Sequence, residues 1–249
     1  FTVTMPRPAA DIPRNLAAIR ERIRAAAATA GRRPEDIRLI AVSKYMPADR
    51  VRQAMDAGQH CFGENTVQDA RSKQALIDDP ENEWHFIGHL QTNKAKFLPG
   101  HFDWLHTLDS LRLAGRLSER AVSSASILKV LLQVNIASDP DKFGLPPPTV
   151  FRFVEDLLQS DLAGIQLRGL MTIGRRDATP EQRRRDFTAL RELGDACARR
   201  FGGALFSELS MGMSGDFETA ISEGATMIRL GSSIFGPRPA PATHTSITR

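Results

Sequence analysis

The 249-residue sequence contains little cysteine and no long apolar segment. Its two cysteines, Cys61 and Cys197, are far apart and lack Cys-X-X-Cys spacing, so the sequence predicts neither a disulfide framework nor a zinc site. No apolar run approaches the roughly eighteen residues of a membrane-spanning helix. No basic segment followed by an apolar one opens the sequence, so no signal peptide is predicted. These absences favour a reduced, cytoplasmic protein without a membrane partner.

The sequence also lacks a strong excess of positive charge, since 33 basic residues face 29 acidic ones. Arginine-rich segments such as residues 181–187 (EQRRRDF) are interrupted by acids, which is typical of a solvated helix face. They also lack the interleaved aromatic residues with which proteins bind single-stranded nucleic acids. We therefore expect no nucleic-acid partner.

Apolar segments typical of strands alternate with amphipathic segments typical of helices along most of the sequence. The predicted strands are residues 37–44, 60–65, 83–89, 103–109, 127–135, 165–173, 205–211 and 226–233. This alternation predicts a parallel sheet with helical crossovers. Eight such units in 249 residues fit a single closed (β/α)8 TIM barrel. An open doubly wound sheet is the alternative, although its usual G-x-G-x-x-G segment after the first strand is absent.

The whole chain is expected to form one domain, because no predicted linker is long enough to separate two. An extra helix over residues 12–31 precedes the first strand, and the barrel domain is assigned to residues 11–238. Residues 1–10 are expected to be an expression remnant or a disordered leader. Residues 239–249 are expected to be a disordered tail.

Two neighbouring loops of the predicted barrel have residues suited to phosphate. The active site of such a barrel lies at the carboxyl ends of its strands, and phosphate most often binds after strands seven and eight. Ser214 follows strand seven, and Gly231 and Ser232 follow strand eight. Their hydroxyl and backbone N–H groups can donate to phosphate oxygens. The alternative is that these residues only form turns.

Lysine is scarce, with six in the sequence, yet Lys44 directly follows the apolar segment 39–43. A poorly solvated lysine favours its neutral, nucleophilic amine, which can condense with an aldehyde. Together with the two loops, Lys44 predicts a site for a phosphorylated aldehyde, and pyridoxal 5'-phosphate meets both requirements. The alternatives are a surface lysine or an ion pair with Glu64.

Arg229 precedes Gly231 by two residues, so both lie on one face of strand eight. If that face is the barrel interior, the guanidinium can meet the cofactor's pyridine nitrogen. A permanently cationic arginine keeps this nitrogen unprotonated and the cofactor a weak electron sink. An ion pair inside the barrel is the alternative.

His85 and His89 do not predict a metal site, since they lie on a strand and its following loop without a third ligand. His85 is predicted to be a core histidine.

Several longer motifs resemble one known family, the pyridoxal-phosphate homeostasis proteins, also described as alanine racemase N-terminal-domain-like or proline synthetase co-transcribed proteins. The motifs include AVSK, FGEN followed by VQ, WHFIGHLQTNK, LLQVNIASDPDKFG, LRGLMTIG and LSMGMSGDFETAISEGATMIRLGSSIFGPR. They extend over residues 39–238, nearly the whole chain. Thr66 and Asp69 depart from residues common in the family, namely an aromatic residue and a glutamate.

The resemblance implies a single barrel of the alanine racemase N-terminal type that binds pyridoxal 5'-phosphate as an internal aldimine on Lys44. It implies a phosphate site at Ser214, Gly231 and Ser232, with Arg229 facing the pyridine nitrogen. Asn65 and His89 would line the cofactor face.

The resemblance also implies a carrier rather than an enzyme. Related racemases add a β-domain that supplies a second catalytic group, and this sequence has no room for one after residue 238. We expect a monomer that holds the cofactor for vitamin B6 and amino-acid homeostasis, with pyridoxal-phosphate-dependent apoenzymes as recipients. A low-activity amino-acid racemase is the alternative, and an RNA- or protein-binding module is a third, less favoured one.

Overall fold

In a computed structural model, which describes residues 10–175 and 177–237, the strands form a closed parallel barrel. The strands are β1 Arg38–Val42, β2 Cys61–Glu64, β3 Glu83–Phe86, β4 Trp104–Leu108, β5 Leu128–Gln133, β6 Ile165–Met171, β7 Glu208–Ser210 and β8 Met227–Leu230. They pair in sequence order, and β1 closes the barrel by pairing with β8. The predicted (β/α)8 barrel is therefore confirmed, and the open sheet is excluded.

Helices surround the barrel. They are α1 Ile12–Thr29, α2 Ala48–Asp56, α3 Val67–Gln74, α4 Leu111–Ser123, α5 Val150–Gln159, α6 Pro180–Phe201, α7 Phe217–Ser222 and α8 Ser232–Phe235. A 3-10 helix, Thr92–Phe97, takes the place of an α-helix between β3 and β4. The predicted leader except Ala10, and the predicted end and tail from Arg238 onward, lie outside the described residues.

The extra N-terminal helix, α1, packs where the short α8 leaves the barrel uncovered. Its apolar residues recur on one face, and Ile12, Leu16 and Ile19 are buried. Asp11 begins the helix by accepting a hydrogen bond from the Arg14 backbone N–H, which is a normal N-cap. The helix contacts α2, α7 and α8, and Asn15 donates to the carbonyl of Ile234 at 2.9 Å. The first helix is thus joined to the last strand–helix unit.

The molecule has two apolar layers. The large one lies between the strands and the surrounding helices, as expected for strands that are buried on both faces. The small one lies inside the barrel and contains Ile40, Trp104, Leu131, Met171 and Met227. The rest of the interior includes buried polar and charged side chains, among them His85, His106 and Arg229.

The structure shows the state of the two cysteines and the character of the helices. Both cysteines are free thiols, Cys61 half-buried and Cys197 buried. Within the described ranges, none of the helices is long and apolar enough to cross a membrane.

Candidate cofactor-binding site

A cavity of about 430 Å³ lies at the carboxyl ends of the strands. It is within the size range of small-molecule sites. Six predicted site residues line it: Lys44, Asn65, Ser214, Arg229, Gly231 and Ser232. Much of the remaining wall is apolar, and none of the described lining residues is acidic. An amine, hydroxyls, a guanidinium and an apolar wall suit an anionic aromatic aldehyde, so the donor set fits pyridoxal phosphate.

Lys44 lies in a turn rather than on the strand, because β1 ends at Val42. The side chain is half-buried. The next residue, Tyr45, has a φ of 64°, a left-handed conformation that is uncommon for residues other than glycine. The predicted strand 37–44 therefore extended two residues too far at its carboxyl end, since this backbone conformation cannot continue a strand.

Side chains from the β2–α3 unit hold the turn around Lys44. The Asp69 carboxylate accepts a hydrogen bond from the Tyr45 backbone N–H at 2.9 Å. Lys73 donates to the carbonyl of Ser43 at 2.7 Å, and the Ser43 hydroxyl donates to Glu64 at 2.6 Å. Backbone groups on both sides of Lys44 are therefore fixed by buried or half-buried partners. Asp69, noted above as a departure from the family resemblance, thus reaches the turn.

Glu64 has its own partner beneath the turn. Its carboxylate lies 2.6 Å from the ammonium of Lys73, and both side chains are buried. Burial raises the pKa of Glu64 to about 7, although the positive charge of Lys73 acts in the opposite direction. Lys73 also lies 3.1 Å from Asp69. The buried Glu64–Lys73 pair thus contacts the segment that carries Lys44 through Ser43.

The two predicted phosphate loops meet at the opposite wall of the cavity. The hydroxyls of Ser214 and Ser233 lie 3.0 Å apart, so the loop after β7 contacts the helix after β8. Ser233 was not among the predicted site residues, although it follows Ser232 directly. The loops thus bring several hydroxyls and the first turn of α8 to one place.

Gly231 packs closely against β1. A Cβ atom added there would lie 3.3 Å from the carbonyl oxygen and 3.4 Å from the Cβ of Val42. The missing side chain keeps the backbone of the loop accessible at the cavity wall, where Gly231 is half-buried.

Arg229 extends from β8 into the barrel interior, as predicted, and is 5% exposed. Its guanidinium donates to the hydroxyl of Ser210 at 2.5 Å and to the carbonyl of Thr172 at 2.8 Å. Burial lowers the pKa of Arg229 to about 10, against the nearby negative charge of Asp216. The residue is therefore a cation at neutral pH, held by neutral oxygens on two other strands.

The structure does not bring His89 into this cavity. Its exposed ring stacks on Phe143, with ring centroids 3.6 Å apart and planes inclined by 9°. It lines a neighbouring cavity of about 670 Å³, which shares Asn65 with the first. The placement of His89 on the cofactor face therefore stays a prediction.

Comparison with known proteins identifies relatives of this chain. Residues 14–239 match the family described as "Alanine racemase, N-terminal domain". A pyridoxal phosphate homeostasis protein of Pseudomonas aeruginosa is 43% identical over 234 residues, 93% of this chain and 99% of that protein. One of Escherichia coli is 41% identical over 232 residues, 92% of this chain and 97% of that protein.

The chain belongs to the pyridoxal phosphate homeostasis protein family. A structure of PipY from Synechococcus elongatus PCC7942 with PLP bound is similar to this family member, with a TM-score of 0.80 and 39% identity. The similarity covers 91% of this chain and all of PipY. In this pyridoxal phosphate homeostasis family member, Thr66 serves as the N-cap of α3, accepting from the Asp69 backbone N–H at 3.3 Å. Thr66, where the resemblance leads one to expect an aromatic residue, thus begins the helix that supplies Asp69 and Lys73.

Proposed function

We propose that this chain binds pyridoxal 5'-phosphate covalently through Lys44 and holds it without efficient turnover, as part of vitamin B6 and amino-acid homeostasis. The observation that carries the proposal is the single cavity that joins Lys44 to Ser214, Gly231, Ser232 and Arg229. An aldehyde-reactive amine and phosphate-suited loops lie on its walls, without an acid among the described lining residues. The related proteins named above support the same cofactor.

Each side chain has a chemical role in this proposal. The Lys44 amine would hold the cofactor's aldehyde carbon through a C=N bond, with the carbonyl oxygen lost as water. Ser214, Ser232 and the backbone N–H groups at the start of α8 bind phosphate oxygens. When bound, the cofactor supplies an electron-withdrawing ring conjugated to that bond.

The same residues favour holding over catalysis. Racemisation by two bases needs a proton acceptor on each face of the substrate. Among the described lining residues, Lys44 is the one side chain with a strongly basic neutral form, because Arg229 remains a cation near neutral pH. A cationic Arg229 also disfavours protonation of the ring nitrogen. Transfer to pyridoxal-phosphate-dependent apoenzymes, a monomeric state and a cytoplasmic location remain predictions.

Labelling of Lys44 tests the proposal. Protein freed of cofactor is mixed with pyridoxal phosphate, its visible absorption is recorded, and borohydride then fixes the adduct for peptide mass analysis. We expect the added mass on the peptide that contains Lys44. Lys44→Ala should lose the covalent colour but retain weaker binding through the phosphate loops.

Lys142→Ala is the matched control, since Lys142 donates to the Gly174 carbonyl at 2.7 Å and does not line the cavity. It should label as the unsubstituted protein does. Labelling of Lys94 or Lys142 in place of Lys44 would contradict the assignment.

A further inference from the structure

A chain of polar side chains connects the two mouths of the barrel. Arg229 contacts Ser210, whose hydroxyl lies 2.8 Å from Nδ1 of His106. Nε2 of His106 lies 2.9 Å from Nδ1 of His85, and Nε2 of His85 lies 2.9 Å from a carboxylate oxygen of Glu83. We name Glu83, His85, His106 and Ser210 the axial relay. It runs from the start of β3, through β4 and β7, to the cofactor cavity at β8.

The relay is enclosed by the barrel. His85, His106 and Ser210 are each 0% exposed. Trp104 stacks on His85 with ring centroids 5.7 Å apart and planes inclined by 9°. Buried polar groups without partners are costly, so hydrogen bonds to these rings help to stabilise the interior. Three of the four ring nitrogens have hydrogen-bond partners in the relay, and the fourth, Nε2 of His85, lies 2.9 Å from a Glu83 carboxylate oxygen without hydrogen-bond geometry.

The two ends of the relay determine the direction of every hydrogen bond in it. Arginine can only donate, so the Ser210 hydroxyl accepts from Arg229, and its own hydrogen is available to Nδ1 of His106. His106 then carries its proton on Nε2 and donates to Nδ1 of His85. His85 in turn carries its proton on Nε2, because that nitrogen lies 2.9 Å from the Glu83 carboxylate, which can only accept. All donors therefore point from the cation towards the carboxylate.

This arrangement requires both histidines to be neutral and Glu83 to be ionised. Burial lowers the pKa of His85, and it lowers the pKa of His106 well below the ordinary value of 6.5. Burial alone would raise the pKa of Glu83, but the close contact with His85 and the charge of Arg38 contribute to lowering it to about 2. The required protonation states are thus those expected at neutral pH.

Other ionisable groups also face the carboxylate end of the relay. Arg38 on β1 and Lys129 on β5 lie 3.4 and 3.8 Å from the Glu83 oxygens. Cys61 on β2 also lies close, and burial, with a contribution from Glu83, raises the pKa of its thiol to about 11. Asp103, before β4, adds negative charge near His85. The charge of Glu83 is therefore set by neighbours at the far mouth of the barrel.

We propose that the axial relay fixes the orientation of Arg229, so that Glu83 at one mouth influences the electronic state of the cofactor bound at the other. This inference rests on the proposed function and assigns His85, His106 and Ser210 as positioning residues. Each hydrogen bond in such a chain polarises the next one, and bonds to charged groups are the strongest. The ordered Ser210 hydroxyl then always presents a lone pair to Arg229.

The first test needs no cofactor. Nitrogen NMR of protein with ¹⁵N-labelled histidine, freed of cofactor, reports the tautomer of each ring. Both His85 and His106 should be neutral and protonated on Nε2 from pH 6 to pH 8. A proton on Nδ1 of either residue, or a charged ring in this range, would overturn the direction of the relay.

The second test measures the visible spectrum of bound pyridoxal phosphate and its pH profile. His106→Leu removes both contacts and should shift the absorption maximum and the pH profile. His106→Gln keeps an acceptor for Ser210 and a donor for His85, so it should restore most of the original spectrum. Leu131→Met is the control, because it alters the buried barrel interior outside the relay and should shift nothing.

Glu83→Gln keeps an acceptor but removes the charge, and it should shift the spectrum in the same direction as His106→Leu. An unchanged spectrum in folded, cofactor-loaded Glu83→Gln or His106→Leu would overturn the inference. Failure of the unsubstituted protein to take up pyridoxal phosphate would instead refute the proposed function, while the NMR result would still test the relay.

Discussion

At the residue scale, the position of Lys44 depends on side chains that do not touch a cofactor. Tyr45 adopts a left-handed backbone conformation, which costs of order 1–3 kcal/mol in a residue other than glycine. The hydrogen bond from its N–H to Asp69 offsets part of this cost. The turn is thus maintained by α3, and the amine projects from it into the cavity.

Ser214 offers a direct test of the phosphate loops. Removal of one hydrogen bond to a charged group costs about 1.5–3 kcal/mol. Ser214→Ala should therefore weaken the binding of pyridoxal phosphate about tenfold to a hundredfold, as measured by equilibrium titration. Ser123→Ala, at the exposed end of α4, should leave the affinity unchanged. Equal affinities for the two variants would remove Ser214 from the site.

Substitution of Arg229 tests whether its positive charge suppresses catalysis by the bound cofactor. Arg229→Glu should allow the ring nitrogen to take a proton, which makes the ring a better electron sink. Exchange of the α-proton of an added amino acid in deuterated water, followed by NMR, should then increase above the low rate of the unsubstituted protein. Arg229→Gln controls for loss of the arginine alone. Rapid exchange by the unsubstituted protein would support the racemase alternative.

Single residues also show how far a site can be read from sequence. Lys44, Ser214, Arg229, Gly231 and Ser232 could be predicted because each follows or ends a strand whose carboxyl end faces the cavity. His89 has the same sequence signal, yet its ring stacks on a phenylalanine 54 positions away along the chain. Such long-range contacts between loops leave no local pattern.

At the element scale, the eight strands were predictable because each is an apolar segment, but their ends were not. The segment 205–211 was predicted as a strand, whereas Gly203–Leu205 form a 3-10 turn and β7 is Glu208–Ser210. The axial relay was also missed. His85 was correctly predicted as buried, but its partners come from β4 and β7, and parallel strands bring them together only when the barrel closes.

The unit of β2 and α3 supports a pH-dependent prediction. Lys73→Met removes the partner of buried Glu64, and loss of one member of a buried pair costs about 3–5 kcal/mol. The loss should be largest at pH 8 and smaller at pH 6. Burial raises the pKa of Glu64 above its ordinary value of 4.5 to about 7, so the carboxyl accepts a proton as the pH falls.

The sign follows from linkage. When a group has a higher pKa in the folded state than in the unfolded state, it stabilises the fold at pH values below its unfolded-state pKa. This stabilisation is lost as the pH rises through its folded-state pKa. Urea denaturation followed by circular dichroism at pH 6 and pH 8 measures the difference. Lys96→Met, an exposed lysine, serves as the control. Equal losses at both pH values in Lys73→Met would contradict the prediction.

At the scale of the whole molecule, α1 completes the outer layer beside α7 and α8. Leu16 is 0% exposed in this contact region. Leu16→Ala should lower the free energy of unfolding by about 2–5 kcal/mol, since it removes buried methyl groups and leaves a cavity. Leu111→Ala, at a position 37% exposed, should cost much less. Similar unfolding midpoints in urea for both variants would show that α1 is not needed to stabilise the barrel.

The contact between α1 and the last helices joins segments that are synthesised at different times. The ribosome makes Ile12–Thr29 about 200 residues before its partners in Phe217–Ser222 and Ser232–Phe235. At about 5–20 residues per second, the apolar face of α1 waits roughly 10–40 s for them. The apolar face of α1 is therefore exposed on the nascent chain while the barrel is translated, and chaperones that bind emerging apolar segments would meet this helix before the barrel strands.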